Sequence, residues 1–139
     1  MNQAILSATK TIDVRFSEVD SMNIVWHGSY MLYFEDAREA FGHKYGLDYL
    51  TIYHHGFYAP LVDIQFKYKQ PVIYGMKPLI TITYQPCDAA KIVFDYLITN
   101  PDDGSVLVTG HSVQVFMDLN YNLVLCNPDF YQEWKDRLL

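Results

Sequence analysis

Asp20 stands on the polar side of a change in pattern, and the residues around it have the types that acyl chemistry uses. The stretch from Arg15 to Arg38 reads RFSEVDSMNIVWHGSYMLYFEDAR. Its first part alternates like a strand and its last part repeats like a helix, so Asp20 falls in the turn just ahead of a helix N-terminus. The N–H groups at such a terminus have no intrahelical partner and carry partial positive charge. They can bind a ligand anion or the oxyanion formed when a carbonyl is attacked. A carboxylate beside them supplies an attacking or proton-accepting group. Glu35 is the rival carboxylate, but Arg38 lies three residues on, and pairing of the two on one helix face is the favoured reading. Taken alone, Asp20 is also an ordinary turn former or helix cap.

The elements that must position these residues follow from periodicity. A strand is expected over Thr9 to Phe16, with Ile12, Val14 and Phe16 on one face. From His27 to Phe41 the apolar positions Tyr30, Phe34, Ala37 and Phe41 recur at helical spacing, with Ser29 as the expected cap and Gly42 as the expected stop. A short helix or turn is expected over Leu47 to His54. Next comes a strand from Phe57 to Lys69 with Val62, Ile64, Phe66 and Tyr68 on the buried side. After the break at Pro71 and Gly75, Ile80, Ile82 and Tyr84 alternate with threonines, and Lys91 to Thr99 alternates again. Asn100 to Ser105 is a turn, Val106 to Met117 a long strand, and Leu123 to Leu125 a brief pairing. Pro128 opens a terminal helix carrying Phe130 and Trp134. One strand, a long helix and then strands joined by short turns exclude a doubly wound parallel sheet, which needs a helix between successive strands. The expectation is α+β, an antiparallel sheet wrapped around one long helix.

Composition bounds the rest. A chain of 139 residues is the size of a single domain, so residues 1–139 are read as one. The formal charge is −6, with no Lys/Arg run to serve as a footprint for nucleic acid or an anionic membrane. The N-terminal stretch MNQAILSATKTIDV has no basic start followed by an apolar run, so no secretory signal is expected there and the location is read as cytoplasmic. Cys87 and Cys126 form no dense framework and suit reduced thiols. His54 and His55 are adjacent rather than at a ligand spacing, and His43 and His111 have no acidic or Cys partner nearby in sequence. No metal and no cofactor are expected.

Asp20, Asn23, Ile24-Val25, Trp26-His27, Tyr30, Phe34-Glu35 and Ala37-Arg38, supported by Pro71 and Gly75, resemble the hot-dog-fold acyl-CoA thioesterases of the 4-hydroxybenzoyl-CoA thioesterase and YbgC type. The resemblance runs over nearly the whole chain. It implies a hot-dog fold, homodimers or homotetramers with active sites between subunits, and hydrolysis of acyl-CoA, or of acyl carrier protein thioesters. On this resemblance Asp20 matches the catalytic Asp, as nucleophile or general base. His27 matches the position whose backbone N–H points at the thioester carbonyl, with Gly28 as the neighbouring donor. Tyr30 either lines the acyl pocket or belongs to the core. Asn23 departs from the family's usual Gly, and Asn tolerates a left-handed backbone. Lys67, Lys69 and Lys91 are the cations available for the CoA phosphates, although wet strand faces carry such charges without a ligand. A thiolate of pKa about 8.5 leaves without strong acid help, so a sparse site suffices. Two other readings stay open: a hot-dog dehydratase or hydratase, which would need a His-Asp pair, and a non-catalytic acyl-binding module.

Overall fold

A computed structural model describes residues 4–139; residues 1–3, the start of the stretch in which no secretory signal is expected, lie outside the described residues. Seven strands form one antiparallel sheet: β1 (Ser7–Thr11), β2 (Phe57–Tyr58), β3 (Leu61–Tyr68), β4 (Leu79–Gln85), β5 (Lys91–Thr99), β6 (Val106–Asp118) and β7 (Leu123–Val124). The order is β1-β4-β5-β6, with β2 and β3 both along the far edge of β6 and β7 on the end of β6. Helix α1 (Tyr30–Tyr45) lies against this sheet, with α2 (Tyr49–His54) beyond it and α3 (Asp129–Leu138) closing the end. No helix of the described residues is long and apolar enough to cross a membrane.

Helix α1 buries Tyr30, Phe34, Ala37 and Phe41, the stripe that its spacing predicts, and Tyr33 beside them. Ile80, Ile82 and Tyr84 of β4 and Ile92, Phe94, Tyr96 and Ile98 of β5 meet it from the sheet. Phe34 is fully buried and stacks on Tyr96 with centroids 4.1 Å apart. Gly110 of β6 permits that approach, because a Cβ there would fall 2.2 Å from the Phe34 ring. Beside it, Tyr96 Oη and Ser112 Oγ, both buried, share a hydrogen bond of 2.6 Å. At the far end Trp134 Nε1 donates to the Tyr45 carbonyl at 2.8 Å, satisfying an orphan acceptor at the end of α1 and docking α3. Lys135, also buried, donates to the carbonyls of Cys87 and Ala89 and to Asn127 Oδ1, which fastens α3 to the β4–β5 connection.

Several boundaries differ from their expected places. The first strand runs Ser7–Thr11 rather than Thr9 to Phe16: Ile12 N–H still donates to Pro78 at 2.7 Å, but proline has no N–H to return, and the ladder stops. Phe16 is exposed and opens a single 3-10 turn to Glu18. Helix α1 passes through Gly42 and stops at Gly46, which is left-handed with φ 79°. Gly42 is needed for a different reason, since a Cβ there would lie 2.5 Å from the Asp48 backbone where the chain turns back. Ser29 is not a side-chain cap; its backbone is already helical, and its Oγ donates to the Glu18 carbonyl at 3.4 Å. The Phe57 to Lys69 strand is split at Ala59-Pro60, and a bulge between Leu61 and Asp63 turns Val62 out to 60% exposure. The expected span of β5 coincides with the observed one, the alternation expected from Ile80 to Tyr84 lies within β4, and the Asn100 to Ser105 turn separates β5 from β6.

Candidate active site

Asp20 opens a tight turn. Asn23 N–H donates to the Asp20 carbonyl at 3.0 Å, and Asp20 N–H donates to Ile24 O at 2.8 Å. Asn23 takes φ 64°, so the left-handed position is present with Asn in it. Asp20 Oδ1 accepts from the N–H groups of Met22 at 2.8 Å and Ile24 at 3.2 Å. This Asx arrangement fixes the carboxyl plane. Among the described residues Oδ2 accepts no hydrogen bond, which leaves it available to a ligand.

The returning arm of the hairpin is tied at several points. Val19 bridges Val25, Ile24 bridges Ile73, and Val25 N–H donates to Val72 O at 2.7 Å. Trp26 N–H donates to the Glu18 carbonyl at 2.8 Å. The chain then enters a 3-10 turn, His27–Ser29, that leads directly into α1. Ser29 N–H returns to Trp26 O, whereas the N–H groups of His27 and Gly28 donate no hydrogen bond among the described residues. These are the orphan donors that a helix start leaves. Glu18 holds the other side: its Oε1 accepts from Tyr33 Oη at 2.9 Å and from Arg15 N–H at 2.7 Å.

Asp20, His27 and Tyr30 line one cleft of about 360 Å³, together with Trp26, Tyr68 and Lys69. Tyr30 is buried, its ring 5.1 Å from that of Tyr68, and burial above all raises its pKa, so it stays a neutral phenol. Gly28 does not line the cleft; a Cβ at Gly28 would strike the Trp26 ring, which packs over it. Of the three lysines weighed for the CoA phosphates, Lys69 reaches the cleft, and Lys67 and Lys91 do not line it.

A larger cavity of about 620 Å³ lies elsewhere, between α1, α2 and the sheet, and Glu35, Asp36, Arg38 and Glu39 line it. Glu35 is therefore separate from Asp20, and its carboxylate stands 3.8 Å from Arg38, as the helical pairing predicts. Two donors at the start of α2 are already taken there, Tyr49 N–H by Glu39 and Thr51 N–H by Asp48. Size favours this cavity, but chemistry favours the cleft, whose lining includes both Asp20, with its unengaged Oδ2, and His27, with its orphan N–H.

One pair was not legible along the chain. His111 Nδ1 lies 2.7 Å from Asp95 Oδ1, brought there by the β5–β6 register. The absence of an acidic partner for His111 nearby in sequence is thus corrected in space. Asp95 stands between the buried Phe94 and Tyr96, so it faces away from α1, and neither member of the pair lines the cleft. It does not make the acid-base pair that a dehydratase would hold against its acyl ligand. Glu18 was also passed over, and its position two residues before Asp20 is the signal that it belongs to the same turn.

Comparison with known proteins bears on the family and the fold. Residues 14–134 match the model of the thioesterase-like superfamily. A relative from Bacillus subtilis, described as "Putative acyl-CoA thioesterase YneP", is 32% identical over 109 residues, 78% of each chain. Among solved structures, a DHNA-CoA thioesterase from Staphylococcus aureus has a TM-score of 0.84 at 23% identity, covering 94% of this chain and 89% of the other. A 1,4-dihydroxy-2-naphthoyl-CoA thioesterase from Synechocystis has a TM-score of 0.80 at 19% identity, covering 97% and 98%. At these identities the structural likeness is one of fold, and the fold is the hot-dog arrangement of sheet around helix.

Proposed function

The chain belongs to the thioesterase-like superfamily, and on that premise we propose that it hydrolyses acyl-CoA thioesters in the cleft beside Asp20. Membership makes it a thioester hydrolase. The observation that carries the finer reading is that an unengaged Asp20 Oδ2 and the orphan N–H of His27 belong to residues lining one cleft. Asp20 Oδ2 either attacks the thioester carbonyl or takes a proton from a water that attacks it. In both routes the carbonyl π electrons move to oxygen, and the N–H groups at the start of α1 stabilise that charge. When the tetrahedral centre collapses, the C–S bond breaks and the CoA thiolate leaves. Attack by Asp20 yields a mixed anhydride that water then cleaves; attack by water yields the acid directly.

The same reading takes CoA as the carrier, with Lys69 the one lysine at the cleft to meet its anionic portion. Acyl carrier protein thioesters are the finer alternative. A cytoplasmic location fits Cys87 and Cys126, both unpaired, as a reducing compartment keeps thiols. Assembly as a homodimer or homotetramer with sites between subunits fits strand β3, which pairs with β6 and has no partner on its other edge among the described residues. That edge runs to Tyr68 and on to Lys69, both residues of the cleft wall.

The test is a panel of aliphatic and aromatic acyl-CoA thioesters, with thiol release followed in real time. Turnover of at least one thioester is expected, and no hydrolysis of any would overturn the reading. His27→Ala should lower kcat by less than about 10-fold, because alanine retains the backbone N–H and removes only the ring. A loss of 1,000-fold in kcat would transfer the role to the imidazole.

A further inference from the structure

The two halves of the proposed catalytic apparatus sit on different segments, Asp20 on the hairpin and the N–H donors on the turn entering α1. Their relative position matters, since misplacement by about 1 Å can cost on the order of 100-fold in rate. We infer that Glu18 is a positioning residue that holds these segments in one frame, an inference that rests on the Asp20 reading above.

Glu18 is bound to both sides through both its backbone and its side chain. Its carbonyl accepts from Trp26 N–H at 2.8 Å and from Ser29 Oγ at 3.4 Å, the residues that bracket His27 and Gly28. Its Oε1 accepts from Tyr33 Oη at 2.9 Å, in the first turn of α1, and from Arg15 N–H at 2.7 Å, at the entry to the loop. Tyr33 is buried, and burial first and the Glu18 carboxylate second raise its pKa, so the phenol remains the donor. A buried donor that loses its acceptor is costly to leave unpaired, which gives the contact its stiffness. Only Val19 separates Glu18 from Asp20, so any shift of Glu18 along α1 is passed to the carboxylate. Glu18 does not line the Asp20 cleft; it acts through Asp20.

The experiment compares Glu18→Ala, Glu18→Gln, Tyr33→Phe and Asp20→Asn on the best acyl-CoA of the panel, with rates corrected for the folded fraction measured by thermal melting. Glu18→Ala should lose about 10- to 100-fold in kcat with KM within about 3-fold of wild type. Glu18→Gln should stay within about 3-fold in kcat, since an amide oxygen accepts the same two hydrogen bonds. Tyr33→Phe should fall between them, and it carries the test with Glu18→Gln if Glu18→Ala does not fold. Glu18→Ala or Tyr33→Phe at full kcat while Asp20→Asn is inactive overturns the positioning role alone. So does a loss in Glu18→Gln as large as in Glu18→Ala, or one accounted for by unfolded protein. Full activity in Asp20→Asn overturns the Asp20 reading and this inference with it.

Discussion

Asp20→Asn is expected to lower kcat/KM for acyl-CoA hydrolysis by at least about 1,000-fold, on the order of 4 kcal/mol of transition-state stabilisation. The substitution separates charge from shape. Asparagine keeps an Oδ1 in place to accept from Met22 and Ile24, so the turn and the left-handed Asn23 need not change. What is lost is the anionic oxygen that attacks a carbonyl or takes a proton from water. Thermal unfolding within about 2 °C of wild type would show the loss to be chemical. A decrease of less than 10-fold would mean that another group, or the N–H donors alone, carries the reaction.

Phe34→Ala should cost about 3–5 kcal/mol of stability, since the ring is fully buried against Tyr96 and Phe66. For a chain of this size the midpoint should fall by roughly 10–20 °C. The site can do little to refill the space, because the strand residue facing the ring is Gly110, which has no side chain to offer. The same contact supplies an internal check. Gly110→Ala alone should destabilise, as its Cβ meets the Phe34 ring, whereas in the Phe34→Ala background the added methyl enters the vacated space and should be neutral or better. Additive effects in that double-mutant cycle would mean that the helix and β6 do not meet through this pair.

The parts of the fold that could be read along the chain are those governed by local period. Strands β4 and β5 alternate cleanly because one face of each meets α1 and the other does not, and the limits of β5 fall where expected. The boundaries that moved depend on contacts between segments. Gly42 looks like a helix stop, yet it serves the close passage of Asp48, and Gly46 one turn later takes the left-handed angle. The first strand ends opposite Pro78, the residue just before β4. Val62 follows the alternation in sequence, and a bulge against β6 reverses it. The candidate site divides in the same way: Asp20 and the donors near His27 lie close along the chain and were legible together. The hold of Tyr33 on Glu18 and the pairing of His111 with Asp95 span turns and registers that no local pattern encodes.

The two tryptophans of the chain occupy opposite environments. Trp134 is buried where α3 meets the end of α1, while Trp26 is 54% exposed on the cleft wall with its ring 4.7 Å from that of His27. The protein therefore carries two intrinsic optical probes: emission from Trp134 follows the integrity of the terminal helix, and emission from Trp26 follows occupancy of the cleft. Replacing either one by phenylalanine isolates the other, so folding and ligand entry can be observed separately without an attached label.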